Sequence, residues 1–389
     1  MDLRTRLAAR VAEIAPFHVM EVQTAARALE AQGRSIVHME IGEPDFPTPA
    51  PVVAAAQRAI ADGRLYYTSA LGLPALREAI AQHYLDHYDV DVSPERVIVT
   101  AGSSAALLLV LALLVNRDDR ILLADPGYPC NRHFVRVLEG EPTGIPVGAG
   151  TNYQLTADLI EQRWDSRVRG TLIASPSNPT GTAVPPDEMR RIVACVERLG
   201  GSLLVDEIYL GLSYDAPPRS VLELTDDAFV ISSFSKYFNM TGWRLGWVVA
   251  PARHVRDLEK LAQNLYISPA SPSQYAALAC FEQETLAILE ERRLAFKARR
   301  DFLVPALREL GFGIPVDPSG GFFVYADCSR FDADSERFCR RTLQGAGVAL
   351  TPGLDFGTHE AERHVRLAYT IDMPKIEEGV ARLRDFLKS

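Results

Sequence analysis

The sequence predicts an α/β protein: a mostly parallel sheet with helices on both faces, and a smaller α+β unit beside it. Three observations point there. Between residues 96 and 233, short apolar strands alternate with helical stretches, the pattern of a parallel sheet buried on both sides. After Gly311 that alternation gives way to short strands and two helices of a different spacing. The chain also has 389 residues, 47% of them hydrophobic, more than one small core accommodates, which predicts two domains. The larger domain is expected at residues 46–281. The smaller is assembled from both chain ends, 1–45 and 282–389.

The elements follow in order. A helical pattern over residues 20–32 stops at Gly33, a residue suited to the left-handed turn after a helix. "RVIVTAG" reads as a strand that runs into a helix near Ser103. "RILLAD" is a strand ending in the turn "PGYPC", and "GTLIASPSNPTG" is another strand ending in a turn. "DEMRRIVACVERLG" is a helix closed by glycine, followed by the strands "SLLVDEIY" and "AFVISS". A long charged helix is expected over 282–310, stopping at Gly311. Then come the strand "GGFFVYADC", a helix over 335–344, "VALTPG", the strand "HVRLAYT" and a last helix.

Composition narrows the function. A net charge of −9 argues against a nucleic-acid partner, which calls for a basic face. The five cysteines are scattered without a C-x-x-C pair, so they read as reduced thiols of a cytoplasmic protein rather than a disulfide frame or zinc site. The first residues, "MDLRTRLAARVAEIAPF", lack an apolar signal core. The longest apolar run, "AALLLVLALLV", is too short to span a bilayer, so no membrane role is expected.

In an open α/β sheet, ligands bind beyond the carboxyl ends of the strands, and the unusual residues of this chain lie at those ends. Gly102, Ser103 and Ser104 open a helix, where exposed N–H groups favour an anion; an ordinary serine N-cap is the plainer alternative. Asp206 ends an apolar strand, with Tyr209 three residues on. Asn178 sits in a sharp turn, and Tyr128 follows a third strand. Lys236 lies in "SSFSKYFNMTGWRLGW" among small hydroxyl and aromatic residues. A lysine so placed has a lowered pKa and becomes a nucleophilic amine of the kind that forms Schiff bases with carbonyl compounds. Each feature alone is weak. Together they put anion donors, a carboxylate, a phenol, an amide, an aromatic face and a lysine on one edge of one sheet.

With "IGEPDFPTP", "SPSNPTG", "VDEIY" and "SxSKxxxMTGWRLG" in this order and spacing, the chain resembles the class I aminotransferases, pyridoxal-phosphate (PLP) enzymes of fold type I. The likeness runs from Ile41 to Thr370. It implies that PLP is held covalently by Lys236, which also moves the proton at the substrate Cα. Asp206 would partner the pyridine nitrogen, Tyr209 and Asn178 the phenolic oxygen, and Tyr128 would stack on the ring. Gly102, Ser103, Ser104, Ser233 and Arg244 would bind the phosphate. Arg366 would take the substrate α-carboxylate, joined by Gly42 and Asn178. Tyr67, in "YYTSALGLPALREAI", corresponds to a tyrosine that reaches the cofactor of the neighbouring subunit, so the resemblance implies a homodimer with shared sites. Phe17 and His18, with residues after Asn264, are candidates for the side-chain pocket.

The implied reaction moves an amino group between an L-amino acid and a 2-oxo acid in two stages, a ping-pong exchange, with glutamate and 2-oxoglutarate expected as one pair. Related sequences carry out β-elimination, decarboxylation or cyclopropane formation on the same cofactor, and a PLP-sensing regulatory protein is the alternative from another class. No metal is expected. His83 and His87 have helical i, i+4 spacing, but Tyr84 stands where the zinc-protease pattern has glutamate. "GAGTNY" lacks the third glycine of a dinucleotide loop.

Overall fold

The computed structural model describes residues 8–388. Its strands are β1 (Val37–His38), β2 (Val97–Thr100), β3 (Arg120–Asp125), β4 (Glu141–Pro146), β5 (Val168–Ala174), β6 (Ser202–Asp206), β7 (Phe229–Ser233), β8 (Gly246–Val249), β9 (Phe323–Asp327), β10 (Val348–Ala349), β11 (Thr351–Pro352) and β12 (His364–Ala368). Seven of them form one sheet in the order β2-β8-β7-β6-β5-β3-β4. Only β8 runs against the others. The carboxyl ends of β2, β3, β5, β6 and β7 therefore share one edge with the start of β8.

Successive residues of these strands face opposite sides, and both sides are apolar. Val99, Leu122, Val205, Val230 and Val249 enter one core, while Ile98, Leu123, Leu204, Ile231 and Val248 enter another. Burial on both faces is why these strands read as continuous apolar runs instead of alternating ones.

A third core gathers around an antiparallel sheet of order β11-β12-β9. β1, from near the start of the chain, pairs in parallel with β10, from near its end. The 28-residue helix Gln283–Leu310 joins the cores. Leu289, Phe296 and Leu303 recur every seven residues, two helical turns apart and so on one face. Leu289 packs with the large sheet, and Phe296 and Leu303 with the small one. Gly311 ends the helix at φ +104°, the left-handed conformation expected there. The helix expected over 335–344 is shorter, Ser335–Arg341, and continues as a wider turn over Thr342–Ala346.

No helix among the described residues is long and apolar enough to cross a membrane.

Candidate active site

The shared strand edge opens into a cavity of about 410 Å³, walled by residues of the large sheet, the small sheet and the helix His18–Glu30. Asp206 is the last residue of β6 and is buried. One carboxylate oxygen accepts the Ile208 N–H at 3.1 Å. Burial pushes its carboxyl pKa up to about 6, and the N–H bond and the Lys236 charge oppose that rise.

Lys236 lies three residues past the end of β7. Its Nζ donates to the Gly42 carbonyl at 2.7 Å and sits 5.6 Å from the Phe322 ring centre. Burial draws its pKa down to about 8; Glu43 and Asp206 offset part of this, and Arg366 and Arg244 add to it. Gly42 leaves no room for a side chain, because a Cβ there would stand 2.6 Å from the Phe323 ring.

Arg366, in the middle of β12, is only 3% exposed. It donates through Nη1 to Asn178 Oδ1 at 3.0 Å and through Nη2 to the Glu40 carbonyl and to Thr351 Oγ1. The guanidinium lies over the rings of Phe323 and Phe356, at 4.4 and 4.9 Å from their centres. Its Nε has no protein partner. Burial draws its pKa down to about 10, so it stays charged at neutral pH. Because Asn178 Oδ1 accepts from Arg366, the amide N–H₂ of Asn178 is left for another acceptor.

Gly102 caps the helix Ser103–Leu114 at φ +83°. A Cβ on Gly102 would stand 2.8 Å from Arg244 Nη2, and one on Gly246 would stand 2.7 Å from the Ser103 N atom. This close packing brings Ser103, Ser104 and Arg244 to one end of the cavity. Arg244 is left-handed (φ +52°), exposed, and donates to the Thr241 carbonyl at 3.0 Å. Tyr128 and Tyr209 line the wall, with phenol pKa values raised by burial. Phe17 meets Tyr128 edge-on at 6.4 Å.

The cavity thus brings together Gly42, Ser103, Ser104, Tyr128, Asn178, Asp206, Tyr209, Lys236, Arg244 and Arg366. Gly102 stands just behind the Arg244 guanidinium. Ser233 stays out of the wall: its hydroxyl donates to the Leu245 carbonyl at 3.2 Å and lies 3.0 Å from Ser235 Oγ, and Ser235 faces the cavity in its place. Ser233 ends its strand inside the sheet, whereas Ser235 follows in the loop. Tyr67 lies outside the wall and is 80% exposed, beside the equally exposed Tyr66. Phe17 lines the cavity but His18 does not; the His18 N–H is held by Asp355 at 3.0 Å. Past Asn264 the next wall residue is Phe323.

Sequence reading missed Val19, Met20, Gln23, Ile41, Glu43 and Thr241 in the wall. Glu43 was within reach of the sequence, since it belongs to "IGEPDF". Its carboxylate accepts the Thr241 hydroxyl at 2.6 Å across the cavity mouth.

The family "Aminotransferase class I and II" matches residues 34–383, nearly the whole chain. The chain belongs to this family. It is a PLP-dependent aminotransferase of fold type I. It is 38% identical to the valine–pyruvate aminotransferase of Mycobacterium tuberculosis over 380 residues, 97% of this chain and 98% of that one. Its backbone follows the crystal structure of an aminotransferase from Mycobacterium tuberculosis with a TM-score of 0.95 at 37% identity, covering 99% of this chain and 100% of that one. The aspartate aminotransferase of Thermus thermophilus, solved with maleate, is similar at TM-score 0.93 and 30% identity, over 98% of this chain and 100% of that one. The aminotransferase thus sets its cavity at the strand ends of the large sheet, closed by two strands of the small sheet, through Phe323 of β9 and Arg366 of β12, and by the helix His18–Glu30.

Proposed function

We propose that this aminotransferase holds PLP on Lys236 and moves the amino group between an amino acid of apolar side chain and a 2-oxo acid, with glutamate and 2-oxoglutarate as one pair. The observation that carries the reading is the convergence of Lys236, Asp206, Asn178 and Arg366 on one cavity. The donor set fits the cofactor. When bound, PLP supplies an aldehyde for the amino group and a ring that accepts electrons. Asp206, as a carboxylate, would partner the ring nitrogen and keep it protonated. Asn178, through its unused N–H₂, and Tyr209 would donate to the phenolic oxygen, and Tyr128 would stack on the ring. Ser103, Ser104, Ser235 and Arg244 would hold the phosphate, with Ser233 behind Ser235 and hydrogen-bonded to it, at the start of a 12-residue helix whose dipole favours an anion. Gly102 is bare because Arg244 needs its space.

On the substrate side, Arg366 forks onto the α-carboxylate, with Gly42 and Asn178 beside it. Lys236 Nζ then takes and returns the proton at the substrate Cα. Beyond that point the wall is Phe17, Val19 and Met20, with Gln23 as its uncharged polar group. The cavity's cations are Lys236, Arg244 and Arg366, each already engaged. An apolar side chain therefore suits this wall, in keeping with the name of the valine–pyruvate relative, and Gln23 gives the distal carboxylate of glutamate an amide to accept from.

The working unit is a homodimer in which Tyr67 of the partner subunit completes the phosphate site. Leu65, Tyr66, Tyr67, Leu265 and Ile267 are exposed, an apolar surface suited to a second copy. Five free cysteines suit the reducing cytoplasm. The separate apolar cores support the division into 46–281 and a smaller domain from 1–45 and 282–389; residues 1–7 and 389 lie outside the described residues.

Borohydride reduction of the PLP-loaded enzyme tests the anchor: the cofactor should be fixed on the peptide that contains Lys236, and label on another lysine would remove this assignment. A panel of amino donors, followed by the cofactor's absorbance, tests the pocket. Valine, leucine and glutamate should react, and aspartate more slowly; a preference for aspartate would overturn the apolar reading.

A further inference from the structure

One buried ion pair beside the cavity has no part in the chemistry above. Glu40 is completely buried. Its Oε1 lies 2.7 Å from His38 Nδ1, and its Oε2 has no protein partner. His38 reaches on through Nε2 to Glu30 Oε1 at 3.2 Å. The hydrogen bond to Glu40 raises the His38 pKa to about 9 against the effect of burial, so the imidazole is charged at neutral pH. A carboxylate taken out of water with a single cation beside it carries a large desolvation cost, and the fold would be served as well by an apolar residue there.

The place of Glu40 gives the pair a use. The main-chain carbonyl of Glu40 is the acceptor for Arg366 Nη2, and the Thr351 hydroxyl donates to the same oxygen at 3.0 Å. On either side, the Met39 carbonyl takes the Ala368 N–H and the Ile41 carbonyl takes the Thr370 hydroxyl, each at 2.7 Å. Residues 39–41 thus form a rail along β12, and Arg366 is aimed by that rail. The Glu40 side chain fixes the rail from behind, through His38 of β1 and Glu30 at the end of the helix His18–Glu30.

We propose that Glu40 and His38 are positioning residues for the transamination reaction: their ion pair holds the Glu40 peptide so that its carbonyl sets the guanidinium of Arg366 for the substrate carboxylate. This rests on the reading of Arg366 as the carboxylate clamp. The pair touches neither substrate nor cofactor, so its loss should appear in substrate binding and leave the cofactor's environment alone.

The test uses the PLP-loaded enzyme with Glu40→Gln, His38→Gln and Arg366→Leu, singly and combined. Glu40→Gln keeps the shape and removes the charge. It should raise KM for amino acid and oxo acid alike by about tenfold, the scale of coupling between residues that share a hydrogen-bond network. The turnover number should change little, because the clamp serves ground state and transition state together, and the cofactor's absorption spectrum should stay as it is. In an Arg366→Leu background, Glu40→Gln should raise KM no further. If Glu40→Gln does not fold, His38→Gln, at a partly exposed position, carries the same expectations. An unchanged KM in a folded variant, or a lower melting temperature with KM intact, makes the pair a structural tie and overturns the proposal. A full tenfold effect in the Arg366→Leu background overturns it as well. Failure of the underlying reading looks different: Arg366→Leu by itself would then leave KM unmoved.

Discussion

Replacing Arg366 with leucine tests the substrate side of the site most directly. The wild-type guanidinium is buried between two aromatic rings and holds Asn178 Oδ1, the Glu40 carbonyl and Thr351 Oγ1. Leucine fills part of the space and removes the forked, charged contact with the carboxylate. Truncating one partner of a buried, hydrogen-bonded charge pair costs about 2–5 kcal/mol. At about 1.4 kcal/mol per tenfold, that is a rise of roughly 30- to 4,000-fold in the apparent binding constant. The effect should be common to every donor and oxo acid, since all carry the carboxylate. Arg366→Lys should recover only a small part, because an ammonium cannot fork onto two oxygens. The assay is the half-reaction with each substrate, read from cofactor absorbance against substrate concentration. Asn178 also loses its charged partner, so a modest spectral shift is allowed, but PLP should remain bound. Binding constants unchanged across the panel would show that Arg366 does not meet the carboxylate.

Three further outcomes follow from the same geometry. In the cofactor-free protein, burial lowers the Lys236 pKa to about 8, so acylation of the Lys236 peptide should rise with pH and level off above pH 8; a profile still climbing toward 10.5, the ordinary lysine value, would contradict the burial argument. Gly42→Ala places a Cβ 2.6 Å from the Phe323 ring, the ring that lies under Arg366. It should lower stability by about 1–3 kcal/mol, as overpacking does, and raise KM; normal melting and kinetics would show that Phe323 moves aside freely. Tyr67→Ala and Lys236→Ala subunits, unfolded together and refolded as a mixture, should regain activity in the hybrid dimer, where one site holds both native groups. No recovery with hybrids present would confine Tyr67 to its own subunit.

The strands that carry the chemistry were legible in the sequence because burial on both faces gives them unbroken apolar runs, each ending at a residue that breaks the run: Thr100, Asp125, Asp206, Ser233. β4 was not. "EPTGIP" contains two prolines and a glycine, tolerated because β4 pairs only with β3 at the sheet's edge. β8, "GWVV", is four residues long and merges with the lysine loop. For the candidate site, local motifs placed Lys236, Asp206, Asn178 and Arg366 in the cavity, but side-chain direction was not readable. Ser233 ends β7 and Ser235 follows two residues on in the loop; the Ser233 hydroxyl turns to the Leu245 carbonyl, across the β7–β8 connection, while Ser235 faces the cavity. The rail at residues 39–41 depends on contacts with residues more than 300 positions away, beyond the reach of any local pattern. The helix at the chain's start was legible as a helix, yet nothing in its periodicity said that Met20 and Gln23 face a cavity built by the large sheet.

The first-turn N–H groups of that helix are held by one distant side chain, and this gives a last prediction. Asp355 is buried, and its two carboxylate oxygens accept the N–H groups of His18 and Val19 at 3.0 and 3.4 Å. These are first-turn N–H groups of the helix His18–Glu30, which have no partner inside the helix, and Phe17 at the cap position offers no side-chain acceptor. Asp355 therefore does from a distance what a serine or aspartate cap does locally, and its charge favours the positive end of the helix dipole. Loss of a helix cap costs about 1 kcal/mol, too little to unfold the chain and enough to loosen the first turn. Phe17, Val19 and Met20, the wall assigned to apolar side chains, all lie in or just before that turn. Asp355→Ala should therefore leave cofactor binding intact while KM rises more for valine and leucine than for alanine, whose methyl group does not extend to the wall. Equal losses for all three donors would place the effect at Arg366, which feels the Asp355 charge, rather than at the helix. No loss for any donor would show that the helix keeps its place without Asp355.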